Sequence, residues 1–484
     1  MDKKKFSKTR KTGIAIAIML PILFLWLWHT VTDFPDALEP PQVKPAGVLI
    51  DNVRLISMVA DAPDAEEGQA VLVIGDRIEE IGVAGEVRAP EGVITIDANG
   101  QTLIPGLIDA HVHLSDEAEL AGYLAHGVTG LRNTSGFPFH LPLSKRISEG
   151  HILGPDFITT GPILNSRGRN ESPLQQTVTT AAEARAAVRE QYKDGYRRIK
   201  LYSNLTREAY DAILDEVDKL GIRVMGHTPE GRRTDGIPDE KPFRIPWEAS
   251  LGKGFTTFEH VETVVWHSLR GELDEARMRE VADTLAASGE VVSTTLIAHK
   301  GLVLIAETDG EYWDRPGTET INPLIRFAQR ADARFWSQVD PSAYEGPRAE
   351  FYLKATRLLH EAGVPLIAST DAGIFAIIPG RSMARELELL VEAGLTSREA
   401  LASATRISAQ ALGFEETGVI APGYRANLVL LSEDPLANIS AVEFPAAVML
   451  SGNWMDENKL EELREGARNT SIIRSLWRGL QMKF

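Results

Sequence analysis

Cysteine is absent from this sequence of 484 residues, so disulfide bonds and thiolate metal ligands are both excluded. Any metal site must instead use histidine, carboxylate or another oxygen ligand. The chain also lacks an excess of positive charge, because its 51 lysines and arginines are outnumbered by 68 acidic residues, which leaves a net charge of −17. Nucleic-acid binding needs concentrated lysine and arginine, so we expect no nucleic-acid partner. The apolar fraction of 43% is that of an ordinary globular protein.

The N-terminus differs in composition from the rest of the chain. Residues 1–12 are strongly basic, and residues 13–31, GIAIAIMLPILFLWLWHTV, are apolar almost throughout. A helix over 13–31 comes close to crossing a hydrocarbon core of ~30 Å. The pattern predicts an uncleaved transmembrane signal-anchor, with residues 1–12 in the cytoplasm and the bulk of the chain in the periplasm; a cleaved secretory signal is the alternative. Residues 32–47 are rich in proline, which predicts a semi-rigid linker.

Two separate stretches have the pattern of short strands joined by turns. They are residues 48–104, with GVLIDNVRLI and AVLVIGDRIEEIG, and residues 413–455, with ANLVLLS and PAAVMLSGNW. Apolar runs bounded by glycine and asparagine turns are typical of β-strands. We expect the two stretches to form one small composite β-sandwich domain, with residues 105–412 inserted between them.

The inserted residues 105–412 repeat one pattern along their length. A helical stretch ends in glycine, a short apolar strand follows, and a polar residue ends the strand, as in AAEARAAVREQYKDGYRRIKLY. Glycine commonly ends a helix because it adopts the left-handed conformation without penalty. The repeated units predict parallel strands and an α/β fold of the (β/α)8 TIM-barrel type; a doubly wound open sheet is the alternative. In such a barrel the functional side chains lie at the C-terminal ends of the strands.

Imidazole and carboxylate side chains occupy several of these strand ends. His111 and His113 are two positions apart in LIPGLIDAHVHL, so they point to the same side of a strand. His227 and His260 end two later strands. Asp371 ends the apolar strand PLIAST, where a carboxylate would not be buried without a partner. Because neutral imidazole is a common metal ligand, the pattern predicts a metal site at the barrel mouth.

Lys200 ends another strand, in RIKLY, and is the least expected member of the set. An ammonium group beside divalent metal ions is electrostatically unfavourable. A lysine that has reacted with CO2 carries an anionic carbamate instead, which can bridge two ions. The alternative is a lysine that is ion-paired with an acidic residue at the barrel rim, and the spacing alone does not decide between the two.

Taken in order, these motifs resemble the metal-dependent amidohydrolase superfamily, and within it the branch related to imidazolonepropionase and prolidase. The resemblance is carried by LIPGLIDAHVHL, RIKLY, VMGHTPEG, FTTFEHVE, ASTDAG and the segment from ELELLVEAG to LVLLSEDPL, over about residues 47–455. It implies a centre of two divalent ions, with zinc as the expected metal, bridged by a hydroxide and by a carbamate on Lys200. The other implied ligands are His111, His113 and Asp371 for one ion and His227 and His260 for the second.

The resemblance also implies hydrolysis of an amide or peptide-like C–N bond in a small substrate such as a dipeptide or an N-acyl amino acid. The bridging hydroxide would be the nucleophile, and Asp371 would carry its proton to the departing nitrogen. The candidates for binding a substrate carbonyl or carboxylate are Tyr202, Arg132, Arg167 and Arg169. Lactone or ester hydrolysis at the same metals is one alternative, and a catalytically silent metal-binding scaffold is another.

The last segment, residues 456–484, is predicted to be a helical extension. Its apolar residues recur at helical spacing: Ile472, Ile473, Leu476, Trp477 and Leu480. This spacing predicts an apolar face that packs against the same chain. A homo-oligomer or a membrane contact through that face is left open.

Overall fold

The structure is a computed structural model, and it describes residues 19–32, 34–42, 45–168, 171–172, 174–232, 243–342 and 345–481. In chain order its strands are β1 (Gly47–Leu55), β2 (Glu66–Ile74), β3 (Arg77–Val83), β4 (Val93–Asp97), β5 (Thr102–Pro105), β6 (Leu107–Val112), β7 (Val128–Asn133), β8 (Asp156–Thr159), β9 (Leu164–Asn165), β10 (Gln176–Thr177), β11 (Arg198–Leu201), β12 (Arg223–Gly226), β13 (Phe255–Glu259), β14 (Val292–Ser293), β15 (Leu366–Ile367), β16 (Leu428–Leu431), β17 (Ala447–Leu450) and β18 (Asn453–Met455).

The helices of the described residues mostly alternate with these strands. They are α1 (residues 19–32), α2 (Glu119–Ala125), α3 (His140–Ser148), α4 (Ala181–Asp194), α5 (Arg207–Leu220), α6 (Val261–Leu269), α7 (Glu275–Ser288), α8 (Leu296–Glu307), α9 (Pro323–Trp336), α10 (Glu345–Glu361), α11 (Ser382–Glu392), α12 (Ser397–Ser403), α13 (Arg406–Leu412), α14 (Glu457–Gly466) and α15 (Ile472–Leu480). Short 3-10 helices span Asp36–Leu38, Trp247–Ser250, Glu311–Asp314, Thr318–Thr320 and Ile439–Glu443.

Helix α4 illustrates how the sequence sets the helix ends. The Thr180 hydroxyl accepts a hydrogen bond from the backbone N–H of Glu183, and the Glu183 carboxylate accepts one from the backbone N–H of Thr180. These two reciprocal bonds cap the first turn of the helix. The helix ends at Gly195, which has φ of 110°, a conformation that glycine reaches without a Cβ penalty. The chain then turns directly into β11, which carries Lys200.

The β domain is one hydrogen-bonded sheet with the strand order β18-β17-β16-β5-β1-β2-β3. The sheet is formed by two segments that are far apart in the sequence. They meet where β5 pairs antiparallel with β16, with Leu103 opposite Leu430. The first half of β1 pairs parallel with β4, and its last two residues pair with β5. Where the sequence predicted a sandwich, the structure has a single sheet that forks at β1, because that long strand has a different neighbour along each half. The domain boundaries proposed from the sequence stay predictions.

Two parallel sheets form the barrel: one has the strand order β6-β7-β8, and the other has the order β10-β9-β11-β12-β13-β14-β15. The end of β8 joins β11 through the N–H of Gly161, which donates to the carbonyl of Arg198 at 3.0 Å. The barrel closes between its last and first strands, where Ala110 N–H donates to Ala368 at 3.2 Å. This is the TIM-type α/β barrel that the helix–glycine–strand pattern predicts.

The N-terminal part of the chain does not follow the sequence prediction. Residues 1–18, with the predicted cytoplasmic segment and the start of the predicted 13–31 helix, lie outside the described residues. Within the described ranges, no helix combines the length and the apolar character needed to cross a membrane. The predicted single-pass membrane localisation with a periplasmic catalytic domain is therefore wrong.

The described part of the predicted linker is packed rather than free. Ala37 and Leu38 are buried in the main core. The carbonyl of Leu38 accepts the N–H of Leu153 at 2.8 Å, which ties this segment to the barrel domain. The apolar residues within the proline-rich stretch therefore act as packing residues.

Helix α15 packs with the face opposite to the one expected. Its apolar residues Leu476, Trp477 and Leu480 are exposed. The buried residues are Arg474 and Ser475, which contact polar groups at the C-terminal end of the barrel. The prediction of an apolar face packed against the same chain is wrong, because hydrogen-bonded polar side chains hold this helix in place.

Candidate metal centre

The end of β6 carries the predicted histidine pair. The ring of His111 is fully buried and that of His113 is partly exposed, with 5.3 Å between the ring centroids. Nδ1 of His111 is hydrogen-bonded to the carboxylate of Glu259. Its Nε2 lies 3.4 Å from Oδ1 of Asp371 and 3.4 Å from Nζ of Lys200. A carboxylate on one ring nitrogen is a common way to direct the other nitrogen toward a metal.

Asp371 follows β15 and meets the histidine pair from the neighbouring strand. Its φ of 62° is a left-handed conformation that is uncommon outside glycine, and its N–H donates to the carbonyl of His111 at 2.9 Å. Its Oδ1 lies 2.9 Å from Nε2 of His113 and 3.4 Å from Nε2 of His111. Burial opposes ionisation of this carboxyl group, but the interactions with His111 and His113 outweigh burial and bring the pKa of Asp371 below its usual range.

These three side chains fit a divalent cation. One ligand atom of each lies within 4.8 Å of the other two. Oδ1 of Asp371 is buried and, among the described residues, accepts no hydrogen bond of good geometry, although two imidazole nitrogens are close to it. A buried polar atom without a partner calls for an ion or another group. Imidazole nitrogen and carboxylate oxygen are ligands that zinc accepts, so the donor set matches the metal that the sequence predicts.

His227 and His260 face the same space from the ends of β12 and β13. The ring of His260 lies 4.7 Å from that of His111 and 4.7 Å from that of His227, measured between centroids. Nδ1 of His260 is 2.7 Å from the hydroxyl of Thr295, and Nδ1 of His227 is 3.1 Å from the hydroxyl of Thr263. Both rings are held through Nδ1, so Nε2 of each is available to a metal.

Lys200 is the buried cation of the group, with only 1% of its surface exposed. Burial lowers the pKa of Lys200 to about 8, although the carboxylates of Glu259 and Asp371 raise it in part. Burial likewise lowers the pKa of the imidazoles of His111, His227 and His260. Imidazole binds metal ions in its neutral form, which this buried environment favours.

Glu259 is a buried partner of His111 that the sequence analysis did not predict. Its fully buried carboxylate holds Nδ1 of His111 on one oxygen and Nη2 of Arg132, at 2.8 Å, on the other. Arg132 is equally buried, and it also donates to the Thr257 hydroxyl at 2.7 Å and to the Ala110 carbonyl at 2.6 Å. Burial raises the pKa of Glu259, but the Arg132 guanidinium outweighs burial and holds that pKa well below its ordinary value. The ion pair therefore orients His111.

The signal for Glu259 was present in the sequence as the acid directly before a histidine in TFEH. Neighbouring residues of a regular strand point to opposite faces, so the pattern alone does not place Glu259 and His260 on one side. His260 has φ of 68°, which breaks this alternation where β13 ends. Both side chains consequently contact His111, one through its Nδ1 and the other through its ring.

The predicted substrate-binding residues do not stay together. The ring of Tyr202 is partly exposed and lies 4.1 Å from the ring of His227, beside the proposed ligands. Arg132 is fully buried in its ion pair, so direct contact with a substrate does not fit its position. Arg167 is exposed on the loop after β9, and Arg169 lies outside the described residues. Of the three candidates that the structure describes, Tyr202 is the one whose position beside the proposed ligands suits contact with a substrate.

Comparison with known proteins decides the family. The model named Amidohydrolase family matches residues 251–455. An imidazolonepropionase from Ruegeria sp. is 35% identical over 405 residues, covering 79% of this chain and 91% of the relative. The chain belongs to the amidohydrolase family. A more distant relative is a 5-methylthioadenosine/S-adenosylhomocysteine deaminase from Carboxydothermus hydrogenoformans, 22% identical over 80% of this chain and 84% of that protein.

Solved structures support the amidohydrolase fold. A bottromycin amidohydrolase is 24% identical and superposes with a TM-score of 0.69, covering 90% of this chain and 95% of the other. A putative prolidase from Bifidobacterium longum is 24% identical with a TM-score of 0.64, covering 88% of this chain and all of the other. The resemblance read from the motifs is confirmed, and this amidohydrolase is a metal-dependent hydrolase that acts on C–N bonds.

Proposed function

We propose that this amidohydrolase uses two metal ions, with zinc as the metal, to cleave amide or peptide-like bonds in small substrates. The proposed ligands are His111, His113 and Asp371 for one ion, His227 and His260 for the other, and a carbamate on Lys200 between them. The observation that carries the proposal is the buried Oδ1 of Asp371, which faces two imidazole nitrogens and which no hydrogen bond from the described residues satisfies.

The carbamate is supported by the surroundings of Lys200. Its Nζ is 3.4 Å from Nε2 of His111, where a positive charge would oppose metal binding. Burial lowers the pKa of Lys200 to about 8, which makes the neutral amine accessible for attack on CO2. The carbon–nitrogen bond forms as the amine loses a proton, and the product is an anionic oxygen ligand. An ion pair of Lys200 with Glu259 is less favourable, because Arg132 already occupies that carboxylate.

The chemistry follows from the residues around this space. Bound metal ions lower the pKa of water toward ~7 and polarise a carbonyl group. Asp371 accepts the proton of the attacking water and then donates it to the departing nitrogen, acting first as base and then as acid. An amine leaves only when it is protonated, which favours a carboxylate at this position. The Tyr202 hydroxyl, beside His227, donates a hydrogen bond to a substrate carbonyl or carboxylate.

Dipeptides and N-acyl amino acids are the proposed substrates. The imidazolonepropionase relatives support a C–N bond as the target, and their substrate belongs in the same assay panel. Lactones complete the panel, because the same centre would suit ester hydrolysis. If zinc-loaded protein hydrolysed the lactones and none of the amides, ester hydrolysis would replace amide hydrolysis as the proposed activity.

Asp371→Asn tests the proton transfer. The amide keeps an oxygen that can bind metal but cannot take up a proton. Turnover should fall by about 10²–10⁴-fold, the usual contribution of general acid–base catalysis, while much of the zinc remains bound by elemental analysis. Asp211→Asn is the control, because that carboxylate pairs with Arg207 on the exposed face of α5. Turnover of Asp371→Asn at the wild-type rate would eliminate the proposed role of this residue.

A further inference from the structure

The C-terminal helix α15 is held to the barrel by a buried ion pair. Arg474 Nε lies 2.9 Å from both carboxylate oxygens of Asp116, and its Nη2 lies 2.6 Å from Oδ1. The side chains are 6% and 0% exposed. The N–H of Ser471, which precedes the helix, donates to the same carboxylate at 2.9 Å. Such charge-assisted bonds from a planar guanidinium fix geometry as well as contributing energy.

The carboxylate that receives Arg474 belongs to the loop that begins with a proposed metal ligand. Asp116 follows His113 by three residues, after β6 has ended. Its Oδ1 also accepts the N–H of Ala118 at 2.9 Å. Other contacts hold the start of the loop, where the N–H of Leu114 donates to Oδ1 of Asn133 at 2.9 Å. Asp116 is therefore one of the side chains that fix the loop after His113.

The same helix reaches two other elements at the C-terminal end of the barrel. The hydroxyl of Ser475 accepts from the Asn322 amide, just before α9, at 2.6 Å. Arg478 pairs with Glu117 at 2.5 Å, and its guanidinium lies 5.1 Å from the centroid of the Phe139 ring, on the loop after β7. Helix α15 thus spans elements that follow β6, β7 and β14. The residues of α15 itself lie C-terminal to the 251–455 segment that matches the family.

Simple stabilisation by the helix does not account for this arrangement. A helix that packs for stability buries its apolar side chains, yet Ile472, Leu476 and Trp477 of α15 are exposed. A buried ion pair is weak evidence for stability, because the cost of removing two charges from water offsets their attraction. Its best-attested effect is to fix one arrangement of the elements that it joins.

We propose that Arg474 is a positioning residue of the metal centre, which acts through Asp116 to fix the loop after β6 and so the orientation of His113 toward Asp371. This inference rests on the proposed function, since His113 and Asp371 are taken as ligands of one ion. The contact of His113 Nε2 with Asp371 Oδ1, at 2.9 Å, is the geometry that the helix maintains.

The test compares Arg474→Gln with Arg474→Lys and with a control, Arg468→Gln. Arg468 lies in the same C-terminal segment, but it is 57% exposed and pairs with Glu319 at 3.3 Å. Zinc affinity is measured by chelator competition on protein shown to be folded by circular dichroism, and kcat and KM are measured on a dipeptide. Arg474→Gln should lose about tenfold in zinc affinity, the lower end for residues that orient a ligand. Lysine should restore part of it, and the control should match the wild type.

A second variant addresses a failure of the first to fold. Arg474→Gln alone leaves Asp116 buried without its counter-charge, whereas Arg474→Gln combined with Asp116→Asn removes both charges. A double variant that folds and has reduced zinc affinity supports the proposal. Wild-type zinc affinity in folded Arg474→Gln, or in the folded double variant, overturns it, and so does unfolding of both, which would make the pair structural only. If the wild-type protein itself binds no zinc, the proposed function fails first, and the two failures are distinguished.

Discussion

Replacing Glu259 by glutamine tests how the first histidine of the centre is held. The carboxylate uses one oxygen for Nδ1 of His111 and the other for Nη2 of Arg132, at 2.8 Å, with no exposed surface. Glutamine has nearly the same size, but its amide nitrogen donates hydrogen bonds and does not accept them. That nitrogen therefore meets another donor, either Nδ1 of His111 or Nη2 of Arg132. Glu259→Gln therefore leaves the Arg132 guanidinium buried without a counter-charge and releases one fixed contact of the His111 ring.

Two effects are expected, and their magnitudes differ. Loss of one partner of a buried ion pair costs about 3–5 kcal/mol of stability, because the remaining charge is uncompensated. Loss of a residue that orients a metal-binding histidine lowers metal affinity about 10–100-fold. Combining Glu259→Gln with Arg132→Met removes both charges, so it should recover stability without recovering zinc affinity. This separation shows that the carboxylate acts on His111 as well as on the fold.

The assay is competition with a chelator for zinc, on protein whose folding is followed by circular dichroism. Glu290→Gln is the matched control, since Glu290 is 5% exposed and accepts a backbone N–H from Gly252 at 2.7 Å, without contacting a proposed ligand. The control should bind zinc as the wild type does. Wild-type zinc affinity in folded Glu259→Gln would refute the orienting role of the ion pair.

Three further predictions concern Lys200, Tyr202 and the buried Glu119 at the start of α2. Reactivation of metal-free protein with zinc should depend on bicarbonate, as activity recovery with and without it will show, and Lys200→Ala should lose this dependence. Tyr202→Phe should lower kcat/KM on dipeptides by about tenfold, the value of one hydrogen bond to a charged or polarised group, with unchanged zinc content; an unchanged kcat/KM excludes the contact. Burial raises the pKa of Glu119 from 4.5 to about 8. As the pH rises between these two values, the carboxyl group ionises in the unfolded chain but stays protonated in the folded one. The free energy of unfolding therefore falls with rising pH, by up to ~1.4 kcal/mol per pH unit. Thermal denaturation across this range should show a smaller fall in Glu119→Gln, and an equal fall contradicts the assignment.

The meeting of distant residues could be predicted because parallel barrel strands end at one face. His111, His227 and His260 are far apart along the chain, but each follows or ends an apolar strand, and the structure brings their rings together. Their roles as metal ligands remain predictions. The repeated helix–glycine–strand pattern was sufficient for this prediction, because the C-terminal ends of all the barrel strands lie at one face of the barrel.

Other features depend on backbone geometry and tertiary contacts that the spacing of residues in the sequence does not reveal. Glu259 shares an interior face with His260 only because the backbone of His260 has a positive φ. Arg132 was predicted to contact substrate, and only the buried carboxylate beside it explains its actual position. In α15 the apolar spacing suggested the buried face, whereas the ion pair of Arg474 with Asp116 determines which face packs. Each of these depends on a partner from a distant part of the chain.

The most direct test is a crystal structure of protein reconstituted with zinc and bicarbonate, with anomalous scattering recorded at the zinc edge. The account predicts two peaks per chain, one bounded by His111, His113 and Asp371 and one by His227 and His260, with density for a carbamate on Lys200 between them. A single peak, or peaks away from the buried Oδ1 of Asp371, would contradict the proposed binuclear centre.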